Sequence, residues 1–318
     1  MSAGNAVLDS TIRELIDELA AEKAPPIYTL SPEEARKTLL RAQSGPVEKP
    51  DAQIKDYSVN TTAGPLHLRS IRPIDVKSPT AVVLYFHGGG WVLGDAVTHD
   101  RLLRELAAGT GATIVFVEYG RAPEHRYPVA IEQAYASARY VAEHADEFEV
   151  DSTRLAVAGD SAGGNMAAVV ALLAKQRSGP RIKAQLLFYP VTNADFDTAS
   201  YNQFADGPWL TRPAMQWFWD QYLPDHNKRH EPSASPLQAS HDQLAGLPRA
   251  LVITAENDVL REEGEAYGRN LLEAGVETVV TRYNGAIHDF VLLNRIAKAA
   301  PVRAALLQAT EFLKGVLD

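Results

Sequence analysis

The chain reads as an α/β protein, a mostly parallel β-sheet with helices on both faces and extra helices set beside it. Two observations carry this. Short, continuous apolar runs recur along the chain, and helix-length stretches separate most of them. Parallel strands covered on both faces read as unbroken apolar runs, and the intervening helices supply the crossovers that parallel pairing requires. Composition removes the rivals. Of 318 residues, 46% are hydrophobic and 22% charged, ordinary globular usage that excludes collagen, coiled-coil and disordered chains.

Taken in order, Val7, Leu8, Ile12, Leu15, Ile16 and Leu19 share one face at helical spacing, which predicts a first helix ended by Pro25-Pro26. Ser31 as N-cap, Pro32 in the first turn and Glu34 three residues on predict a second, short helix. Gln53–Asn60 and Pro65–Ile71 flank Thr61-Thr62-Ala63-Gly64 and read as a hairpin. Buried strands are then predicted at Ala81–Phe86, Thr113–Val117, Leu155–Ala158, Gln185–Tyr189 and Ala250–Thr254, with a further strand-like segment at Glu277–Tyr283. Between them fall the helical stretches Asp100–Ala108, Val129–His144, Ala162–Gln176 and Glu262–Glu273, with Pro128 where a first-turn proline belongs.

One insertion breaks the alternation. Roughly 60 residues separate Tyr189 from Arg249, too many for a plain crossover. They hold Trp209, Trp217 and Trp219 and read as two or more extra helices, which together with the N-terminal pair would form a lid. The expected partition is residues 1–48 as N-terminal cap helices, 49–190 with 246–318 as the catalytic body, and 191–245 as the cap insertion.

Charge and cysteine narrow the function. With 31 Lys+Arg against 40 Asp+Glu the net charge is −9, and no basic cluster is visible, so no nucleic-acid partner is expected. No apolar run reaches the length of a membrane span. The first 20 residues carry Asp9, Arg13, Glu14, Asp17 and Glu18, which is unlike a signal peptide, and a cytoplasmic location is expected. There is no cysteine, so covalent chemistry must use oxygen or nitrogen.

The strongest chemical signal is Gly159-Asp160-Ser161-Ala162-Gly163-Gly164, placed after a predicted strand and opening a predicted helix. A sharp turn there holds the serine in a strained conformation, with small residues two before and two after so that strand and helix can approach. The helix N-terminus beneath Ser161 offers free N–H groups to a developing anion. The second signal is His87-Gly88-Gly89-Gly90-Trp91, directly after a buried strand. Its glycines allow close backbone approach and aim several amides at one place, as acyl transfer needs. A phosphate loop is the weaker use, because neither G-x-x-x-x-G-K-[ST] nor G-x-G-x-x-G is present. His87 reads as a structural residue fixing that loop.

A serine nucleophile needs a base. Of nine histidines, His288 lies in Gly285-Ala286-Ile287-His288-Asp289-Phe290, after a strand and at the same end of the sheet. His67, His226 and His230 read as surface, and His99, His125, His144 and His241 sit on or beside helices. Asp258 follows the strand ALVIT and is the favoured orienting acid, with Glu256 and Asp289 as competing carboxylates. The order Ser161, Asp258, His288 is the one associated with the G-x-S-x-G turn. His226 and His230 have i, i+4 spacing but lack the glutamate of a zinc hydrolase, so no metal site is expected. Glu262-Glu263 reads as acidic charge at a helix N-terminus.

These motifs resemble the hormone-sensitive-lipase-like carboxylesterases of the α/β-hydrolase superfamily. The matching pieces are HGGGW at 87–91, APEHRYP at 122–128, GDSAGGN at 159–165, DVLREEG at 258–264 and the GAIHDF loop. The resemblance implies Ser161, Asp258 and His288 as triad and the amides of Gly89, Gly90 and Ala162 as oxyanion hole. It also implies an α/β-hydrolase fold with a helical cap over an acyl pocket, action on short- to medium-chain esters without metal or cofactor, and a possible homodimer. Where that family carries Tyr-Arg-Leu before Ala-Pro-Glu, this chain has Tyr119-Gly120-Arg121, which puts the ion pairing of Glu124 in question.

The expected activity is serine carboxylesterase, acting on a small-molecule ester. Alternatives are an amidase or deacetylase using the same triad, or a small-ligand receptor on this scaffold. The aromatic residues Trp209, Trp217 and Phe218, with Trp91 and Tyr189, are the candidate pocket walls, which implies acyl chains of roughly two to eight carbons.

Overall fold

The computed structural model describes residues 6–77 and 79–318. Eight strands form one sheet: β1 (Ala52–Thr61), β2 (Gly64–Pro73), β3 (Thr80–Phe86), β4 (Thr113–Glu118), β5 (Val150–Asp160), β6 (Ile182–Phe188), β7 (Arg249–Asn257) and β8 (Thr278–Ile287). Their spatial order is β1-β2-β4-β3-β5-β6-β7-β8. The predicted hairpin is β1–β2, antiparallel with Thr61 opposite Gly64, and β2 pairs antiparallel with β4. From β4 through β8 every pairing is parallel.

Chain order and spatial order diverge at one place, and that place matters. From β3 the chain passes to β4 on one side, then returns across β3 to β5 on the other. The loops leaving β3 and β5 therefore part in opposite directions. In open α/β sheets such a switch point leaves a crevice at the carboxyl ends of the strands, where ligands bind.

Alternating residues of each strand feed two cores. Val82, Leu84 and Phe86 of β3 face one way, into a core shared with Met166, Val170 and Tyr267. Val83 and Tyr85 face the other, beside Leu102, Leu106, Leu306 and Leu313. The first core is covered by α4 (Val129–Glu143), α5 (Ala162–Gln176) and α9 (Arg261–Glu273), the second by α3 (Ala96–Thr110) and α10 (Ala300–Leu317). Residues Ala162–Ala174 of α5 are buried without interruption, as expected of a helix apolar on all sides.

The N-terminal helices form as predicted, α1 at Ser10–Glu22 and α2 at Pro32–Ala42. Asp9 caps α1 by accepting from the Thr11 and Ile12 amides. Ser31 and Glu34 close a capping box on α2. Ile12, Leu15 and Ile16 bury against the core below β8, whereas Val7 stays exposed. The insertion contains α6 (Ala199–Gln203), α7 (Arg212–Tyr222) and α8 (His241–Leu244), and the turn Ile27–Thr29 packs on α7.

Several boundaries differ from the sequence reading. Pro128 occupies the N-cap of α4, one place before the first helical residue. Helix α3 starts at Ala96, four residues early, because Asp95 and Thr98 form a capping box. Strand β8 runs on to Ile287: after an irregularity near Glu256 it pairs again, Asn257 against Ile287. That extension carries His288 directly off a strand end. Among the described residues no helix is long and apolar enough to cross a membrane.

Glu124, whose pairing the altered Tyr119-Gly120-Arg121 put in question, has a partner from another part of the chain. Arg36 of α2 grips it with both terminal nitrogens, at 2.6 and 3.0 Å, and also donates to the carbonyls of Val92 and Ala122. This bond outweighs the opposing effect of desolvation and holds the Glu124 pKa down at about 2. Arg121 instead donates to the Gly94 carbonyl.

Candidate active site

The switch point brings the sequence-predicted groups together. Strand β5 ends at Asp160, Ser161 makes the turn, and α5 starts at Ala162. Ser161 has φ 54° and ψ −118°, a conformation rare for any residue with a side chain and costing on the order of 1–3 kcal/mol. The close approach behind it is severe. A Cβ on Gly163 would lie 1.9 Å from the Phe86 carbonyl oxygen, and one on Gly159 would lie 2.3 Å from Gly163. The turn is held by the Ser161 amide, which donates to Phe188, and by its carbonyl, which accepts from Val191.

Ser161 Oγ lies 2.9 Å from His288 Nε2, and His288 Nδ1 lies 2.7 Å from Asp258 Oδ2. All three side chains are buried, with Ser161 4%, Asp258 1% and His288 2% exposed. The second Asp258 oxygen accepts from the Leu260 amide at 2.9 Å, which fixes the carboxylate plane. Of the competing acids, Glu256 is engaged elsewhere, accepting from the Gly285 amide and so shaping the histidine loop. Asp289 lies on the opposite side of the ring, 3.5 Å from Nε2, and accepts from Trp209 Nε1 at 2.8 Å. Burial lowers the His288 pKa, but Asp258 and then Asp289 outweigh it and raise it to about 9.

The glycine loop follows β3 and curls over the serine turn. Gly89 and Gly90 have positive φ, and Gly89 accepts from the Val92 and Leu93 amides, closing the loop on itself. Among the described residues no acceptor takes the Gly89, Gly90 or Ala162 amides. Ala162, as first residue of α5, has no intrahelical acceptor to give its N–H to. His87 has the structural place expected of it. Its Nδ1 sits 2.9 Å from the Gly88 carbonyl, its ring stacks on Tyr119, and burial together with the nearby His99 charge pushes its pKa down to about 3.

The aromatic candidates separate into two groups. Trp91 is fully buried and stacks on Tyr222 at 4.1 Å, with Trp219 edge-on at 4.9 Å, so it ties the glycine loop to α7. Phe218 lies over Gly90, where a Cβ would fall 2.2 Å from its ring, and Trp217 packs against Phe218 at 5.1 Å. Tyr189 meets the His288 ring edge-on at 4.8 Å, and Trp209 reaches the site through Asp289.

Sequence reasoning missed some residues near the chemistry. Asp160, read only as the variable position of G-x-S-x-G, is fully buried and bonds Tyr85, Gly88 and His99. The one available hint was a carboxylate inside an otherwise small, neutral turn. Glu263 lies in the first turn of α9 as read, but it is buried, accepts from the Thr192 and Asn193 amides, and burial pushes its pKa well up. It anchors the start of the cap insertion.

A serine on a strand-turn-helix bend, hydrogen-bonded through an imidazole to a buried carboxylate, is the arrangement that α/β-fold serine hydrolases use. The family model described as alpha/beta hydrolase fold matches residues 83–292, and the chain belongs to that family. Among solved structures, a thermostable esterase from Pseudomonas putida superposes with a TM-score of 0.98 at 49% identity, covering 99% of each chain. The carboxylesterase NlhH of Mycobacterium tuberculosis is 36% identical over 297 residues, 92% of each protein. An ethyl acetate hydrolase from Pseudomonas putida is 35% identical over 288 residues, 88% of this chain and 90% of the relative.

Proposed function

We propose that the chain is a serine carboxylesterase for short- to medium-chain acyl esters, with Ser161, His288 and Asp258 as its triad. The observation that carries this reading is the unbroken hydrogen-bonded chain from Asp258 through His288 to Ser161. Ser161 Oγ attacks the ester carbonyl carbon while His288 Nε2 takes its proton. The carbonyl oxygen becomes an oxyanion, for which the amides of Gly89, Gly90 and Ala162 are the available donors. His288 then gives the proton to the departing alcohol, leaving an acyl-serine. Water, deprotonated by the same ring, releases the acid. Asp258 keeps the Nδ1 proton in place and stabilises the imidazolium.

The esterase relatives support cleavage of carboxylic esters, and the relative named for ethyl acetate supports small acyl and alcohol groups. Residues 191–245 with 1–48 serve as the cap in this reading, and Phe218 and Tyr189 border the acyl site. A cytoplasmic setting rests on the lack of cysteine, and homodimerisation on the family resemblance. The test is kcat/KM on 4-nitrophenyl esters of increasing length, with a matched anilide. The expected profile peaks between about two and eight acyl carbons, with the anilide slower by about 10³ or more, as a bounded apolar pocket and a poorer leaving group require. Rates that keep climbing with long-chain emulsions, or an anilide cleaved as fast as the ester, would overturn the substrate class.

The charge around His288 adds a pH signature. Only the neutral ring is a base, so kcat/KM rises with pH through the histidine pKa. Because the flanking carboxylates raise that value, the acidic limb is expected on the alkaline side of the ordinary 6.5, toward about 9. Asp289→Asn removes one raising charge, and the limb should move to lower pH by about half a unit to one unit. A profile of kcat/KM against pH for both proteins checks this. An unmoved midpoint excludes Asp289 as a contributor.

A further inference from the structure

The two halves of the proposed anion site come from different strands. Gly89 and Gly90 follow β3, whereas Ala162 follows β5. The mutual register of these two strands ends at Phe86 opposite Gly159, so their pairing does not tie one loop to the other beyond that point. What spans the gap is a side chain. Asp160 Oδ1 accepts from the Gly88 amide at 3.1 Å and from the Tyr85 hydroxyl at 2.7 Å. The residue before the nucleophile thus grips the residue before Gly89. The fit leaves no slack, since a Cβ on Gly88 would fall 2.3 Å from Asp160 Oδ2.

A bare carboxylate here would work against the reaction. It is fully buried, which is costly without a partner, and its charge would oppose the oxyanion forming nearby. His99 answers both. Its Nε2 lies 3.3 Å from Asp160 Oδ1 and 3.4 Å from Oδ2, and its Nδ1 lies 2.9 Å from Thr98 Oγ1 and 3.3 Å from the Asp95 carbonyl. Both side chains are wholly excluded from solvent. Burial pushes the Asp160 carboxyl up and the His99 ring down, but each is outweighed by the facing charge, so the two sit as an ion pair.

We infer that Asp160 is a positioning residue for ester hydrolysis, holding the glycine loop in register with the serine turn, and that His99 is its neutralising partner. This rests on the reading of Gly89, Gly90 and Ala162 as oxyanion donors. Donors must sit where charge develops, and displacement by an ångström costs about 10²-fold. The energetic effect therefore falls on the transition state more than on bound substrate.

The test compares Asp160→Ala, Asp160→Ser and Asp160→Asn on a short 4-nitrophenyl ester, and on an alkyl trifluoromethyl ketone that adds to Ser161 as a tetrahedral oxyanion. Rates are normalised to the sites titrated by an organophosphate, which removes unfolded molecules from the count. Ala has no acceptor and Ser stops short of Gly88, so kcat should fall about 30- to 100-fold with KM within about threefold. Ketone affinity should fall in parallel with kcat. Asn restores a neutral acceptor of the same shape, held in orientation by His99, and should recover to within about three- to tenfold of wild type. A folded Ala or Ser variant with kcat within threefold of wild type overturns the inference, as does an Asn variant no better than Ser. If neither smaller variant folds, His99→Gln decides, because it leaves the Asp160 acceptor in place and removes the facing charge: a parallel fall in kcat and ketone affinity supports the pair, and a kcat within threefold of wild type sinks it. Ser161→Ala runs alongside. If it is inactive while the Asp160 variants keep full kcat, only this inference fails; if it retains turnover, the triad reading itself fails.

Discussion

Ser161→Ala is expected to abolish ester hydrolysis, with kcat/KM down by about 10⁴–10⁶ and the fold retained. The hydroxyl is the only atom removed. The sharp turn is kept by backbone bonds to Phe188 and Val191 and by the close contact of Gly163 with Phe86, none of which involves Oγ. His288 loses one neighbour but keeps Asp258, so the melting temperature should move by no more than a few degrees. Kinetics on a short 4-nitrophenyl ester measure the loss. Mass spectrometry after organophosphate treatment should show one adduct on the wild type and none on the variant. Activity within tenfold of wild type would exclude Ser161 as nucleophile.

Asp258→Asn should cost nearly as much, about 10⁴ in kcat near neutral pH, though it changes the side chain by one atom. The reason lies in the two bonds that Asp258 makes. One oxygen accepts from the Leu260 amide, so the asparagine oxygen is held there and the NH2 turns to His288 Nδ1. A donor facing Nδ1 forces the ring proton onto Nε2, which then points at Ser161 and cannot accept from it. Glu256 offers no replacement, being committed to the Gly285 amide, and Asp289 lies on the other side of the ring. A loss of less than tenfold would mean that another acid orients the histidine.

The meeting of Ser161, His288 and Asp258 was legible in the sequence, and the reason is local. Parallel strands covered on both faces leave apolar runs such as AVVLYF and ALVIT, and the three groups sit on residues just past strand ends. The serine turn announces itself because its geometry tolerates only small neighbours at 159 and 163. What stayed hidden depends on packing between segments distant in sequence. Nothing around His99 marks it as the mate of Asp160, 61 residues away. Glu263 looked like ordinary helix N-terminal charge, because only the folded chain lays the 192–193 backbone over it. Arg36 could not be matched to Glu124 without knowing that α2 lies across the loop after β4. Helix α10 lay beyond the segments that carry chemistry, although Val302, Ala305, Leu306, Ala309 and Leu313 show the spacing that marks a buried face.

The segment ahead of α1 lies against the loop that carries His288: the Asp9 amide donates to the Gly285 carbonyl, and Asn257 Nδ2 donates to both Val7 and Ala286. For anyone fixing this protein to a bead, the point of attachment therefore matters. A handle ahead of Val7 tugs on the strap that lies against the imidazole loop, whereas one at the exposed Leu307 of α10 pulls on a helix that makes none of these bonds. Attachment through that helix leaves the strap unloaded.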